Sequence, residues 1–126
     1  MTIELRSVTE ENFVEWRKAV RQGFGIHVHP DDIARLRNDR AELDRLVAAV
    51  DTGSERIVGT GGADSYSLTV PGGAVIPMAG VAYMTTSVTH RRQGAFSRMM
   101  NHIHDEARER GDIVSGLWAS QSHLYS

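Results

Sequence analysis

The sequence predicts a single α/β (α+β) domain over residues 1–126, in which a mixed β-sheet is flanked by helices. Apolar residues recur at helical spacing in two stretches, one near residues 13–24 and one near residues 96–107. Residues 56–86, between them, are rich in glycine, threonine, serine and β-branched residues. Residues 79–119 then read as strand, glycine-bearing turn, helix and strand, the order of a βαβ unit with two parallel strands.

The first half of the chain is predicted to contain one strand and two helices. Ile3 and Leu5 alternate with polar residues and begin a short strand. An amphipathic pattern follows over residues 10–22, and Gly23 ends that helix. Asp31 and its acidic neighbour begin a second helix, because the helix dipole favours acids in a first turn. The apolar face of this second helix would carry Leu36, Leu43, Val47 and Val50.

The second half is predicted to contain three strands, a helix and a last strand. The runs on either side of the turn signal VPGGAV give the first two strands, and AGVAYMTTSV gives the third. The helix over residues 96–107 ends at Gly111, after a basic last turn. DIVSGLWAS is the last strand. The predicted order is therefore β-α-α-β-β-β-α-β, with no further element to cover the last strand.

Composition narrows the class of protein. The chain carries 16 acidic and 14 basic side chains, so its net charge of -2 gives no general attraction for nucleic acid or an anionic membrane. It has no cysteine, which excludes disulfides and thiol catalysis and fits a reducing compartment. The sequence shows no signal core and no apolar run long enough to span a bilayer. We therefore expect a cytoplasmic protein with neither a nucleic-acid nor a membrane partner.

Two histidine pairs could suggest a metal site, but we expect none. His102 and His104 would lie on different faces of a helix, since only residues three or four apart meet there. His27 and His29 fall in a predicted loop. Two separated pairs without cysteine do not form a zinc signature, so solvated histidines are the favoured interpretation.

The stretch VTHRRQGAFSRMM has the features of an anion site. Arg91, Arg92 and Gly94 stand where a strand gives way to a helix, whose first N–H groups and dipole attract anions. The pattern is neither a Walker A loop nor a Rossmann fingerprint. From the residues alone, a solvated helix cap with surface arginines remains open. A nucleotide- or phosphate-binding α/β protein remains open as well.

The same stretch resembles motif A of the GCN5-related N-acetyltransferases (GNAT), written [QR]-x-x-G-x-[GA], with matches at Arg91 and Gly94. Its flanks are similar to the N-terminal acetyltransferase domain of the Eis (enhanced intracellular survival) branch, in which LTVPGG and T-H-R-R-x-G are typical. A large apolar residue at Phe96 departs from the general motif but is typical of this branch. Val88 stands where the branch usually has proline.

The resemblance implies a GNAT-type mixed sheet, acetyl-CoA as cofactor and a primary amine as small-molecule substrate, either an aminoglycoside or a lysine-like acceptor. The pyrophosphate would lie on the turn before the helix, and backbone groups of the preceding strand would bind the pantetheine arm. The implied cofactor residues are Met84, Thr85, Thr86, Arg91, Arg92, Gln93, Gly94, Ala95, Phe96, Ser97, Ser120 and Gln121. Phe24 and Asp31 fall in the family's acceptor region.

The last residues, Ser120 to Tyr125, resemble the family segment S-E-G-G-I-Y and place Tyr125 at the general-acid position, although Gln121, Ser122 and His123 differ from it. The family's general base is a distant C-terminal carboxylate. The resemblance therefore implies an incomplete domain from a roughly threefold longer protein, with its base elsewhere. An uncovered last strand also favours a homo-oligomer. The alternative is a truncated, non-catalytic GNAT-fold module that binds CoA or a protein partner.

Overall fold

A computed structural model, which describes residues 2–25, 42–87 and 94–116, shows a mixed β-sheet with a helix packed on each face of its described part. This confirms the predicted fold class. The strands are β1 (Ile3–Ser7), β2 (Leu46–Asp51), β3 (Arg56–Thr69), β4 (Val75–Thr86) and β5 (Val114–Gly116). The helices are α1 (Phe13–Gly23) and α2 (Ala95–Arg110), and a short 3-10 turn, Leu43–Arg45, precedes β2.

The strands lie in the order β1-β2-β3-β4-β5. The first four pair antiparallel with their neighbours, whereas β5 pairs parallel to β4, with Met78 opposite Val114 and Gly80 opposite Gly116. Because α2 connects the two parallel strands, the predicted βαβ unit is confirmed. The described part of the last strand is shorter than predicted, and residues 117–120 lie outside the described residues.

The predicted helix over residues 43–50 is wrong, because Leu46–Asp51 forms β2 in the middle of the sheet. Every residue of β2 is buried, since helices cover both of its faces. A strand buried on both faces reads as a continuous apolar run, which periodicity alone does not distinguish from a buried helix. Residues 31–41, the start of that predicted helix, lie outside the described residues.

Two smaller differences concern boundaries. The helix expected over residues 10–22 begins at Phe13, because residues 10–12 form a turn in which Asn12 Oδ1 accepts a hydrogen bond from the Thr9 N–H. Residues 56–86 form two long strands rather than three. The signal VPGGAV lies at the one turn between them, where the Val70 N–H donates to the Ala74 carbonyl.

Side chains of β2 alternate between two apolar layers. Leu46, Ala48 and Val50 pack against α1, while Val47 and Ala49 pack against α2. The α1 residues in the first layer are Phe13, Trp16 and Val20. The α2 residues in the second layer are Ala95, Met99, Ile103 and Ala107. The period of two along the strand therefore fixes which helix lies on which face.

The far end of the β3–β4 hairpin extends beyond both layers. Tyr66, Leu68 and Val75 are exposed there. No charged side chain occurs from Ser65 to Ser87. We call Ser65–Val75 the hairpin arm; it presents apolar side chains to its surroundings.

Candidate cofactor and acceptor site

The amino end of α2 has the geometry of an anion site. Gly94 precedes the helix with φ 75°, a left-handed conformation that a residue with a Cβ rarely adopts. The Arg98 N–H donates to the Gly94 carbonyl at 3.1 Å and closes the first turn. The first N–H groups of a helix have no acceptor within it and point outward together with the positive end of the dipole. A phosphate fits such an end.

The carboxyl end of β4 provides an extended backbone. β5 pairs with β4 at Met78–Gly80. Among the described residues, no strand pairs with that edge of β4 from Val81 to Thr86. Thr86 Oγ1 is buried and has no hydrogen-bond partner in the described part of the chain. The described part of the chain therefore leaves the backbone groups of this edge available to an extended ligand.

The α2 helix and the carboxyl end of β4 approach each other at Gly59 of β3. A Cβ placed on Gly59 would lie 2.8 Å from Met99 Cε of α2 and 3.2 Å from the Thr85 carbonyl oxygen of β4. Met99 follows Ala95 by one helical turn, and Met84 packs against the same layer as α2. The glycine thus leaves room for the Met99 side chain of α2 beside the end of β4.

A β-bulge interrupts β4 just before this end. Thr60 pairs with Thr85, but Gly62 pairs with Ala82, so β4 carries one extra residue at Tyr83 and Met84. Tyr83 adopts φ 64°. The buried Thr60 hydroxyl fixes the bulge: it donates to the Tyr83 carbonyl at 2.7 Å and lies 2.6 Å from Thr85 Oγ1. Bulges re-aim side chains, and they are frequent beside active sites.

The bulge presents Tyr83 toward α1. Its ring contacts Trp16 edge-on at 5.3 Å, and the Arg17 guanidinium lies 5.1 Å from its centroid. Its hydroxyl donates to both carboxylate oxygens of Asp64, at 3.1 and 3.0 Å. Burial raises the pKa of Tyr83, and the hydrogen bond to Asp64 raises it further. The phenol therefore stays protonated and remains a donor.

Sequence reasoning missed the pair of Asp64 and Tyr83. A signal was present, because Asp64 is the one acidic residue between Arg56 and Arg91. An isolated charge in a β-rich, uncharged segment is expected to have a specific partner. Tyr83, by contrast, carries no local mark of a bulge or of a positive φ.

A cavity of about 340 Å³ lies where the end of α1 meets the ends of β3 and β4. Its lining residues are Ala19, Gln22, Gly23, Arg56, Ile57, Val58, Gly59, Thr85, Thr86 and Ser87. A Cβ on Gly23 would lie 2.5 Å from Thr85 Cβ, so α1 touches β4 directly. Phe24 follows this contact and is 54% exposed. The end of α1 therefore presents an aromatic ring near the end of β4.

The structure describes part of the predicted cofactor site. Met84–Thr86 and Gly94–Ser97 lie on the two elements that meet above Gly59. Outside the described residues lie the other predicted positions, Asp31, Arg91, Arg92, Gln93, Ser120, Gln121 and Tyr125. The two helical histidines have different neighbours, as predicted: His102 lies 3.5 Å from Glu106, and His104 lies 3.4 Å from Ser115.

Within residues 2–25, 42–87 and 94–116, no group of three or more histidine or acidic side chains is arranged to hold a metal ion. In the same ranges, neither helix has the length and apolar character needed to cross a bilayer.

Comparison with known proteins gives a match over nearly the whole chain. The family described as acetyltransferase (GNAT) domain matches residues 4–126. A protein of Streptomyces avermitilis named uncharacterized N-acetyltransferase is 32% identical over 125 residues, which are 99% of this chain and 30% of that protein. N-acetyltransferase Eis of Mycobacterium tuberculosis is 30% identical over 128 residues, which cover 99% of this chain and 31% of that protein. The chain thus spans about a third of the length of the curated relatives it matches.

Solved structures show the same fold. Eis1 of Mycobacterium abscessus aligns with a TM-score of 0.79 at 23% identity, over 98% of this chain and 29% of that one. A predicted acetyltransferase of Clostridium acetobutylicum, determined with acetyl-CoA, aligns with a TM-score of 0.75 at 18% identity, over 96% and 83%. Together with the curated matches, these confirm the resemblance to the Eis branch.

Proposed function

Because the chain belongs to the acetyltransferase (GNAT) domain family, we propose that it binds acetyl-CoA and transfers the acetyl group to a primary amine. One observation carries the proposal: the Gly94-led end of α2 and the edge of β4 at Met84–Thr86 meet above Gly59. An anion site and an extended hydrogen-bonding edge side by side suit a ligand with a pyrophosphate and a peptide-like arm.

In this proposal the pyrophosphate of acetyl-CoA lies on the turn from Arg91 to Ser97. Amides of Gly94, Ala95 and Phe96 donate to its oxygens, while Arg91 and Arg92 supply charge. Backbone groups of Met84–Thr86 bind the pantetheine arm as an added strand would be bound. Gln93, Ser120 and Gln121 complete the cofactor site. The choice of ligand is supported by the Clostridium acetobutylicum relative, whose structure was determined with acetyl-CoA.

The acceptor, an aminoglycoside or a lysine-like amine, enters from the side of α1, near Phe24 and Asp31. Its neutral nitrogen attacks the thioester carbonyl carbon and forms a C–N bond. The C–S bond then breaks and Tyr125 gives a proton to the CoA thiolate, while the nitrogen releases one proton to solvent, from which Tyr125 is reprotonated. Aromatic and acidic groups at the acceptor entrance suit a cationic amine.

The proposal extends to assembly and location. The exposed apolar residues Tyr66, Leu68 and Val75 of the hairpin arm support association into a homo-oligomer, since they gain from burial against another chain. A cysteine-free sequence and a small-molecule amine substrate support a cytoplasmic location.

A second candidate is a non-catalytic GNAT-fold module that binds CoA or a protein partner. It is favoured by the three positions Gln121, Ser122 and His123, which differ from the family segment S-E-G-G-I-Y next to Tyr125. Turnover distinguishes the two candidates, since the module would bind acetyl-CoA without transferring its acetyl group to any amine.

Calorimetric titration with acetyl-CoA and with ADP tests the cofactor. We expect saturable binding of acetyl-CoA, weaker binding of ADP, and a loss of about tenfold or more in acetyl-CoA affinity in Arg92→Ala, because a charged hydrogen bond is removed. Equal affinity for ADP and acetyl-CoA would indicate a general phosphate-binding protein. Absence of acetyl-CoA binding would exclude the first candidate and would leave, of the second, only a module that binds a protein partner.

A further inference from the structure

Helix α1 carries an arginine whose charge no described acidic residue neutralises. Arg21 is partly buried, and its Nε is buried without a hydrogen-bond partner among the described residues. None of the ion pairs formed within those residues includes it. Burying an N–H group without an acceptor is costly. The Arg21 guanidinium is therefore suited to a ligand that supplies an acceptor and a negative charge.

The position of Arg21 follows from the period of the helix. Arg17, Arg21 and Phe24 are spaced i, i+4 and i+7, so they share one flank of α1. Arg17 shows which way this flank faces, because its guanidinium lies 5.1 Å from the centroid of the Tyr83 ring. Arg21 therefore lies on the side of α1 that faces the bulge of β4.

This flank lies beside the reactive end of the proposed cofactor. If the pyrophosphate lies at Gly94 and the arm runs back along β4 from Thr86, it reaches the bulge at Tyr83. The acetyl group then lies at the bulge. An acceptor that enters near Phe24 passes the flank that holds Arg21. This step rests on the proposed function.

We propose that the acceptor is a primary amine that also carries an anionic group, a carboxylate or a phosphate, and that Arg21 binds this group. A guanidinium presents paired N–H donors in one plane, which match the oxygens of either anion. Arg17 and Arg21 are one helical turn apart, about 6 Å, and the ε-amine of an extended lysine lies at a similar distance from its carboxylate. A free lysine-type amino acid therefore fits this flank better than a polycationic aminoglycoside, whose further ammonium groups Arg21 repels.

Calorimetry of the full chain, saturated with CoA, tests the inference with two matched pairs of amines. N-α-acetyl-lysine carries a carboxylate that N-α-acetyl-lysine methylamide lacks, and glucosamine 6-phosphate carries a phosphate that glucosamine lacks. We expect the anionic member of one pair to bind about tenfold or more tightly than its partner. The pair that shows this preference identifies the anion as carboxylate or phosphate.

Variants of α1 assign the preference to a residue. It should disappear in Arg21→Gln and be kept in part in Arg21→Lys, which retains the charge but loses the planar donors. Lys18→Gln is the matched control and should keep the preference. Lys18 lies on the same helix, but it lines a cavity beside Arg6 of β1 and pairs with Glu15.

Other results would overturn the inference and leave acetyl transfer in place. Equal affinity for both members of each pair is one such result, and a preference that persists in Arg21→Gln is another. A tenfold loss of acetyl-CoA affinity in Arg21→Gln would assign Arg21 to the cofactor instead. Initial rates with acetyl-CoA test the proposed function separately. Absence of turnover with all four amines would refute acetyl transfer, while the binding preference still decides which group Arg21 recognises.

Discussion

At the scale of single residues, α2 is bounded by two glycines in the same left-handed conformation. Gly94 precedes the helix with φ 75° and Gly111 follows it with φ 87°. In both places a Cβ would meet nothing within 4 Å, so the backbone angle, and not crowding, requires glycine. The sequence predicts both positions, since glycine at a helix end has a local cause.

The two glycines form a matched pair for testing the anion site. We expect Gly94→Ala and Gly111→Ala each to lower the free energy of unfolding by about 1 kcal/mol, because a left-handed conformation becomes strained. Only Gly94→Ala should also weaken acetyl-CoA binding, by roughly tenfold or about 1.4 kcal/mol, since its strained turn displaces the first amides of α2. Urea unfolding and calorimetry measure the two effects. Equal affinities in the two variants would place the pyrophosphate elsewhere.

Tyr83 shows where sequence reasoning ends at this scale. Nothing in AGVAYMTTSV distinguishes Tyr83 from its neighbours. Its φ of 64° arises from contacts with Trp16 and Thr60, which are 67 and 23 positions away along the chain. Local patterns carry no information on such contacts. The glycine that precedes α2 could therefore be predicted, whereas the bulge and the Asp64 carboxylate beside it could not.

At the scale of elements, burial on both faces explains the wrong prediction at β2. Burial on one face explains the correct predictions elsewhere. Helix α2 and strand β1 each bury one face, so their apolar periods of 3.6 and 2 remain visible in the sequence. In β2 the two faces meet different helices, and its period of two disappears. The parallel pairing of β4 and β5 followed from connectivity alone, because a helix joins the two strands.

The bulge in β4 gives an element-scale prediction. Replacing the buried Thr60 with the isosteric Val leaves the Tyr83 carbonyl and Thr85 Oγ1 without their shared hydroxyl. We expect Thr60→Val to lower the free energy of unfolding by about 2 kcal/mol and to weaken acetyl-CoA binding, because the Met84–Thr86 edge next to the bulge loses its anchor. Thr69→Val, at an exposed position on the same strand, is the control. Similar unfolding free energies for the two variants would mean that Thr60 does not hold the bulge.

At the scale of the whole molecule, a buried ion pair joins distant parts of the chain. Arg45, which precedes β2, is 3% exposed and donates to Asp112, which follows α2 and is 8% exposed, at 2.7 Å. Arg45 also donates to Ser65 Oγ of β3, and Ser65 in turn donates to Glu42. The Ser65 hydroxyl holds the pKa of Glu42 below its usual range. This network lies at the carboxyl end of α2, whereas Gly94 lies at its amino end.

Removal of one side chain of the buried Arg45–Asp112 ion pair should therefore destabilise the fold strongly. We expect Asp112→Ala to lower the free energy of unfolding by about 3 kcal/mol, because Arg45 would remain buried without its counter-charge. Asp105→Ala removes a pair with Arg108 whose side chains are 71% and 81% exposed, and should change stability by about 0.5 kcal/mol or less. Urea unfolding compares them. The double variant Arg45→Met/Asp112→Leu should recover most of the lost free energy of unfolding. A loss equal to that of Asp112→Ala would show that the unpaired charge of Arg45 is not the cause.

The hairpin turn at Val70–Ala74 has a consequence for how the chain reaches this fold. Only a few residues separate β3 from β4 along the chain, so a short loop joins them. About forty residues separate β1 from β2, and β5 pairs with β4 only after α2 has formed. Closing a longer loop costs more entropy before any contact compensates for it. The β3–β4 ladder is therefore the natural nucleus, and the outer strands join it late. The two strands that form the nucleus also carry Gly59 and the bulge, so the edge proposed for the cofactor takes shape before the sheet is complete.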